Sequence, residues 1–146
     1  MREAYEANIA ANKPPYADVT ITTRDELFWL LQQHSWSNDS DKKMQQKKEA
    51  NLQGISLIEV DLNGVHLQRA NLANSSLNAV NLSQAKLGQA NLMGALLRDV
   101  SLERADLVKA NLQNADLTGA NLKGADLRLS NLQHAKPYCY VLFAPV

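Results

Sequence analysis

The chain has 146 residues and carries 15 lysine and arginine and 15 aspartate and glutamate side chains, which give it a formal net charge of zero at pH 7. This balance argues against a protein whose electric field would compete for or steer it to a nucleic-acid site. No apolar run reaches the roughly 18 residues of a membrane span, the N-terminus does not resemble a signal peptide, and Cys139 is the only cysteine, so we expect a cytoplasmic protein without a disulfide framework.

Residues 1–49 form an N-terminal extension in which one short strand and one helix are predicted. Val19–Thr22 alternates in polarity like a strand, and Thr23 and Glu26 then form a capping box that predicts a helix over about residues 23–34. We expect the apolar face of this helix to cover the start of the following region. That face comprises Leu27, Leu30 and Leu31, with Phe28 or Trp29 beside them.

Residues 37–49 form a strongly polar stretch with four lysines. Such a stretch is typical of a solvated connector or a frayed helix, and the same composition also fits a basic docking segment.

The dominant feature of the sequence is leucine at every fifth position from Leu52 to Leu132. On an α-helix, leucines five residues apart would lie roughly 140° apart, and on a strand they would alternate between opposite faces. A chain that turns a corner every five residues can instead point each leucine at one common axis. The predicted core therefore consists of Leu52, Leu57, Leu62, Leu67, Leu72, Leu77, Leu82, Leu87, Leu92, Leu97, Leu102, Leu107, Leu112, Leu117, Leu122, Leu127 and Leu132.

Each repeat consists of a small residue, a polar residue, leucine and two variable residues, as in residues 70–74 and 120–124. The small position is Ala, Val, Ser or Ile throughout. This pattern closely resembles the A(D/N)LXX motif of the pentapeptide-repeat family. The resemblance implies that residues 50–135 form an all-β solenoid, a right-handed quadrilateral β-helix of about four coils, with a short strand and α-helix as the N-terminal cap.

A second period of 20 residues supports a coil with four sides. Asparagine precedes leucine at this interval, and the residues two after leucine on the same side are types that tolerate turn conformations with positive φ. The asparagines are Asn51, Asn71, Asn91, Asn111 and Asn131, and the turn residues are Gly54, Asn74, Gly94, Asn114 and His134.

The two ends of the solenoid need covering, because an open tube exposes leucines and unpaired strand edges. All aromatic residues and prolines lie outside the repeats, where such covers would be. Residues 136–146 form an apolar tail for which two hypotheses stay open. The tail is either a lid over the last coil or a strand that pairs with a partner or a second copy, and the family resemblance implies dimerisation through the C-terminal end.

The sequence predicts no catalytic, cofactor or metal site. His34, His66 and His134 are too scattered for metal ligation, and Cys139 has no evident histidine partner. Asp106, Asp116 and Asp126 occupy the position before leucine, where the resemblance implies a bracing role. We expect the asparagine column to brace turns in the same way, rather than to bind a ligand.

Two functions remain, of which the first is a protein-interaction or regulatory scaffold. The family resemblance implies a regulatory role of the kind found in bacteria, especially cyanobacteria. Its candidate surface includes apolar residues at outward positions, with Leu96 and nearby Met93 foremost, and further cases at Ile58, Val108 and Leu129. Its candidate residues in the tail are Tyr138, Tyr140 and Phe143. The second function, which the family resemblance implies, is a DNA mimic that binds DNA gyrase. The neutral charge and the short repeat region disfavour it.

Overall fold

A computed structural model of the protein describes residues 7–8, 10–12, 20–33 and 50–136. Residues 7, 8 and 10 are helical. Strand β1 (Thr20–Ile21) and helix α1 (Arg24–Gln33) precede the repeats, and strand β2 (Ser56–Leu57) lies in the first coil. The predicted connector at 37–49, the tail beyond residue 136, and the side chains of Trp29, Leu30 and Leu31 lie outside the described residues.

The repeat region winds as a coil in which each bridge joins residues 20 apart. Parallel bridges run from Asn51↔Asn71 to Asp116↔Lys136 without a change of spacing. Within them, the Leu72 amide donates to the Asn91 carbonyl at 2.7 Å, and the Asn91 amide donates to the Ala70 carbonyl at 2.9 Å. Four pentapeptides therefore complete one turn, which is the interval that the asparagine column predicts.

This spacing divides the repeat surface into four sides, which we number in chain order. The first side comprises residues 50–54, 70–74, 90–94, 110–114 and 130–134. The second side comprises 55–59, 75–79, 95–99, 115–119 and 135–136. The third comprises 60–64, 80–84, 100–104 and 120–124, and the fourth comprises 65–69, 85–89, 105–109 and 125–129.

Every corner is made by the residue two after leucine, which adopts a positive φ. The values lie between 53° at Glu59 and 75° at Gly54, and each position of this slot from residue 54 to residue 134 takes part. The leucine carbonyl accepts a hydrogen bond from the amide three residues later, as Leu52 does from Ile55 at 3.1 Å. These corners are therefore β-turns whose third residue needs φ > 0. The positive φ predicted for the first side alone is a property of all four sides.

The leucines fill the centre of the coil. Those from Leu52 to Leu122 are each at most 5 % exposed, and small residues of the same coils lie beside them. The last two leucines differ from the predicted core, because Leu127 is half-buried and Leu132 is 37 % exposed. Leu132 lies in the last coil that the structure describes, so no further described coil stacks upon it.

The N-terminal segment lies against the first coil. Strand β1 pairs in parallel with β2, with Thr20 opposite Ser56 and Ile21 opposite Leu57. Ile21 therefore takes the place that a leucine of a preceding coil would take, and it is fully buried, as is Leu27 of α1. The predicted strand and helix both exist within the described residues, as Thr20–Ile21 and Arg24–Gln33.

The capping box at the start of α1 forms as the sequence predicts. The Thr23 hydroxyl accepts from the Glu26 amide at 3.2 Å, and the Glu26 carboxylate accepts from the Thr23 amide at 3.1 Å. The backbone amides of Thr22 and Thr23 hold the pKa of Glu26 below its usual value. Phe28 does not widen the buried face, because it is 38 % exposed and its ring lies under the Arg24 guanidinium at 5.3 Å.

Arg24 supplies donors to backbone groups at the N-terminal edge of the coil. Its Nη1 donates to the carbonyl of Asn63 at 3.3 Å and to that of Asp61 at 3.5 Å. One coil later, the equivalent carbonyls of Asn81 and Ser83 accept from backbone amides of the preceding coil. In the described residues, the guanidinium thus donates to carbonyls whose counterparts one coil later accept from backbone amides, and it satisfies part of a strand edge.

Candidate protein-interaction surface

The asparagine column on the first side is a hydrogen-bonded ladder that braces its own turns. The Nδ2 of Asn71 donates to the Oδ1 of Asn51 at 3.1 Å, and the same link repeats along the column, with distances up to 3.3 Å. Each Oδ1 also accepts from the backbone amide two residues later, as Asn91 does from Met93 at 3.2 Å. The amides therefore have the structural task that we expected from the sequence.

The aspartates in the position before leucine make the same turn contact. The Oδ1 atoms of Asp61, Asp106 and Asp126 accept from the amide two residues later at 3.0–3.1 Å. Asp106 and Asp126 lie on the fourth side and Asp116 lies on the second side, so the three do not form one row of carboxylates. Their shared role is to brace the coil.

Asp116 stands apart because it is also the centre of a buried ion-pair cluster. Its Oδ2 accepts from Arg98 Nε at 2.7 Å and from Lys136 Nζ at 3.2 Å, and its Oδ1 accepts from the Thr118 hydroxyl at 2.6 Å. The carboxylate is only 3 % exposed, whereas the Arg98 and Lys136 side chains are 54 % and 63 % exposed. A buried anion is therefore covered by two cations that remain open to solvent.

These contacts hold the pKa of Asp116 far below its usual value of 3.8. The Thr118 hydroxyl is the largest cause and the Arg98 guanidinium the next, with smaller contributions from the Thr118 amide and Lys136, while burial acts in the opposite direction. Asp116 therefore stays ionised well below neutral pH, and the cluster keeps its charges over that range.

We expect Asp116→Asn to lower the melting temperature by roughly 5 °C at pH 7. The side-chain oxygen of the asparagine still braces the turn, but its NH₂ group replaces the negative oxygen that accepts from Arg98 and Lys136. The lowered pKa stabilises the fold fully above pH 3.8, and this contribution is lost as pH falls from 3.8 towards the folded pKa. The difference between wild type and variant should therefore be constant from pH 7 to about pH 5 and shrink below about pH 4. Thermal melts followed by circular dichroism across this range measure it.

Asp126→Asn is the matched control for that prediction. Asp126 occupies the same slot and pairs with Arg128 at 2.7 Å, but the two side chains are 35 % and 80 % exposed. An exposed pair contributes little, so we expect a change of about 1 °C. Equal losses in both variants would show that the cluster at Asp116 has no special weight.

Leu96 lies directly beside this cluster on the second side. It is bridged to Ser76 on one coil and to Asp116 on the next, and it is 41 % exposed in a slot that is otherwise polar on this side. Met93 is 38 % exposed on the adjoining first side. These two predicted interface residues flank one corner of the coil, the turn that contains Gly94.

The other apolar departures predicted from the sequence do not join Leu96. Ile58 is 50 % exposed and also lies on the second side. It is two coils away from Leu96, because the coil that contains Asn78 lies between them. Leu129, 76 % exposed, and the half-buried Val108 lie on the fourth side. The predicted interface residues Tyr138, Tyr140 and Phe143 lie outside the described residues.

The cluster at Asp116 could have been found from the sequence by its register. Arg98 and Asp116 differ by 18 positions and Asp116 and Lys136 by 20, which places all three on the second side of adjacent coils once the 20-residue turn is known. Among the residues that the structure describes, no three histidine, cysteine or acidic side chains are grouped to hold a metal ion. No helix in the described ranges is long and apolar enough to cross a membrane.

The repeat region matches the family model described as pentapeptide repeats, in 8 copies over residues 48–82, 75–114 and 105–136. No curated protein shows a significant match to the chain.

Solved structures of pentapeptide repeat proteins resemble the fold. Rfr23 from the cyanobacterium Cyanothece 51142 is 37 % identical with a TM-score of 0.53, over 53 % of this chain and 53 % of that one. HetL from Nostoc sp. strain PCC 7120, a protein involved in heterocyst differentiation regulation, is 35 % identical with a TM-score of 0.52, over 53 % of this chain and 36 % of HetL.

A further pentapeptide repeat protein, from Nostoc PCC 7120, is 27 % identical with a TM-score of 0.54, over 75 % of each chain. The matches to Rfr23 and HetL thus span about half of the first protein and about a third of the second. These likenesses support the right-handed quadrilateral β-helix that the sequence motif implies.

Proposed function

The chain belongs to the pentapeptide-repeat family, and we propose that it is a non-enzymatic scaffold that binds another protein through the second side of its coil, with Leu96 as the central contact. The observation that carries this proposal is an exposed leucine held in a rigid ladder beside a fixed ion-pair cluster. Leu96 donates its amide to the Ser75 carbonyl at 2.9 Å and accepts from the Leu77 amide at 2.8 Å, so its backbone position is fixed from the coil before it.

An exposed apolar side chain on a fixed backbone, with a polar rim around it, fits the apolar core and polar rim of a protein interface. Arg98 and Lys136 form this rim, and their shared bond to Asp116 limits the conformations that they adopt before a partner arrives. Binding would therefore order few side chains, which reduces the entropic cost of association.

A regulatory role in the cytoplasm is part of this proposal. Two observations support it, namely the likeness to HetL, which is involved in heterocyst differentiation regulation, and the single cysteine, which suits a reducing compartment. The side chains that most resemble catalytic groups already have structural contacts. Asp106 and Asp126 brace turns, and Asp116 pairs with Arg98 and Lys136. The partner is expected to be a protein, without a cofactor on either the chain or its contact surface.

The charge distribution disfavours the alternative of a DNA mimic that binds gyrase. A mimic needs a continuous acidic surface to compete for a DNA-binding groove. Here Asp116 and Asp126 are neutralised by Arg98, Lys136 and Arg128. Acidic and basic residues also occur together on the second, third and fourth sides.

The test is a pull-down from native cells with three forms of the full chain, which are wild type, Leu96→Asp and Leu129→Asp. Leu129 is the matched control, because it is an exposed leucine on the fourth side and its φ of 61° is one that aspartate tolerates. We expect a partner that is recovered by wild type and Leu129→Asp and is depleted about tenfold by Leu96→Asp. Equal recovery by all three forms would contradict the proposed surface.

A further inference from the structure

The first side of the coil carries no charged side chain, whereas each of the other three sides carries both signs. Its outward positions hold asparagine, glutamine, glycine, alanine and methionine, with His134 at the end of the last coil. The charged residues of the same region lie elsewhere, for example Asp99 on the second side, Glu103 and Arg104 on the third, and Lys109 on the fourth.

The asparagine ladder explains only part of this neutrality. The ladder requires asparagine at the position before leucine, but it places no requirement on the two positions after leucine. On the other sides those two slots accept Arg98, Glu103, Lys123 and Arg128 in the same turn geometry. On the first side they hold Gln53, Ala73, Met93, Gln113 and Gln133, followed by the corner residues. Charge is therefore missing from positions where the fold tolerates it.

An uncharged polar face is suited to contact with a copy of itself. In a dimer with twofold symmetry, a charge near the axis meets the same charge of the other copy, and a face without charges avoids that repulsion. A strongly charged partner, by contrast, would lose hydration there without gaining an opposite charge. We propose that two copies of this chain associate through their first sides, with the coils antiparallel.

The arrangement of side chains fits such a contact. The first side has five rows about 4.8 Å apart, and Met93, 38 % exposed, lies in the middle row. Antiparallel stacking about an axis at this row places Met93 opposite Met93 and Gln53 opposite Gln133. The neighbouring row offers the buried Ala73, and the corner beside Met93 is Gly94, against which the side chain of Asn74 lies. Met93 is therefore the apolar side chain of the middle row that an opposed copy would meet.

The ladder also leaves donors for the second copy. Each of Asn71, Asn91 and Asn111 uses one amide hydrogen for the link along the column, and its Oδ1 accepts two hydrogen bonds. The second amide hydrogen takes no part in the ladder. The ladder therefore leaves a row of amide hydrogens on part-buried asparagines, and glutamine carbonyls of an opposed copy are acceptors of the right kind.

The size of the face sets the strength of this association. Three outward positions in each of five rows are fewer than the about 20–30 residues per partner in a standard stable interface. We therefore expect a reversible dimer with a dissociation constant in the range of about 10 μM to 1 mM. This association is separate from the partner site at Leu96 and goes beyond the proposed scaffold function.

Sedimentation of the full chain over concentrations up to about 1 mM tests the inference. Four forms are compared, namely wild type, Met93→Lys, Met93→Glu and Val108→Lys. Val108 is the matched control, because it occupies the slot after leucine on the fourth side and its side chain is half-buried. We expect Met93→Lys and Met93→Glu each to weaken the dimer at least about tenfold, and Val108→Lys to leave it unchanged.

Mixing the two Met93 variants tests the position of the axis. An equimolar mixture of Met93→Lys and Met93→Glu should recover a dimer, because opposite charges now meet at the middle row. A wild-type protein that stays monomeric to about 1 mM would overturn the inference. So would a dimer that the Met93 variants leave intact, as expected for association through the tail, or a mixture that fails to recover it.

Discussion

Replacing Leu92 with alanine is expected to lower the free energy of unfolding by about 3 kcal/mol. Leu92 is fully buried in the middle coil of the described repeats, and the coils before and after it contribute Leu72 and Leu112 at the same side. Backbone ladders fix the distance between coils, as in the 2.7 Å bond from the Leu92 amide to the Asn111 carbonyl. The structure around the missing methyl groups therefore cannot collapse, and a cavity should remain. Equilibrium unfolding in urea measures the loss.

Leu132→Ala is the matched control for this prediction. Leu132 occupies the same slot on the same side, but it is 37 % exposed at the end of the described coils. We expect this variant to lose less than about 1 kcal/mol, since much of its side chain is already in water. A loss equal to that of Leu92→Ala would mean that residues 137–146 cover Leu132 in solution, and a negligible loss for Leu92→Ala would contradict rigid stacking of the coils.

The architecture could be predicted from the sequence because one spacing imposes it. Leucine at every fifth position demands a corner in every repeat, and the column from Asn51 to Asn131 gives the number of sides. A further signal was overlooked at the corners. The slot two after leucine holds no valine, isoleucine or threonine in any repeat, even where it holds Ala79 or Leu129. β-branched residues are disfavoured at positive φ, so this omission could have predicted left-handed corners on every side.

Long side chains were the part that the sequence pattern could not place. The path of Arg24 to the Asp61 and Asn63 carbonyls depends on where α1 lies against the coil, and no local pattern states that position. Likewise, the sequence predicts the same bracing role for Asp106, Asp116 and Asp126, with Asp116 on a different side from the other two, and does not predict an ion-pair cluster at Asp116. The coils on either side of it bring Arg98 and Lys136 to the same carboxylate. The 20-residue turn brings these residues to the same side of adjacent coils, but the paths of the Arg98 and Lys136 side chains to one oxygen follow only from the structure.

The exposure of single apolar side chains could be predicted from the sequence, whereas their grouping on the faces of the coil was not predicted. Departures from polarity mark exposed apolar side chains correctly at Ile58, Met93, Leu96 and Leu129. They do not reveal which of these share a face, because residues that are neighbours in sequence lie on different sides and residues 20 apart lie on the same one. Grouping outward residues by the 20-residue turn would have separated Leu129 from Leu96 and revealed the uncharged first side.

Deleting residues 1–36 is expected to abolish the cooperative melt or to lower its midpoint by at least about 10 °C. The deletion removes β1 and α1, and with them the buried Ile21 and Leu27 that lie against the first coil. It also leaves the carbonyls of Asp61 and Asn63 without the Arg24 guanidinium. An open parallel edge with exposed leucines is a template for pairing with another chain, so the shortened protein should also self-associate. Circular dichroism melts and size-exclusion chromatography measure the two effects.

A single substitution separates the effect of the Arg24 hydrogen bonds from the effect of burying Ile21 and Leu27. Arg24→Gln keeps Ile21 and Leu27 in place but removes the fork of donors, so we expect a loss of about 1 kcal/mol without self-association. If the deletion melts like the full chain, the N-terminal segment is not a cap and the first coil is stable with an open edge. If Arg24→Gln is as damaging as the deletion, the guanidinium bonds, rather than the burial of Ile21 and Leu27, hold the segment on the coil.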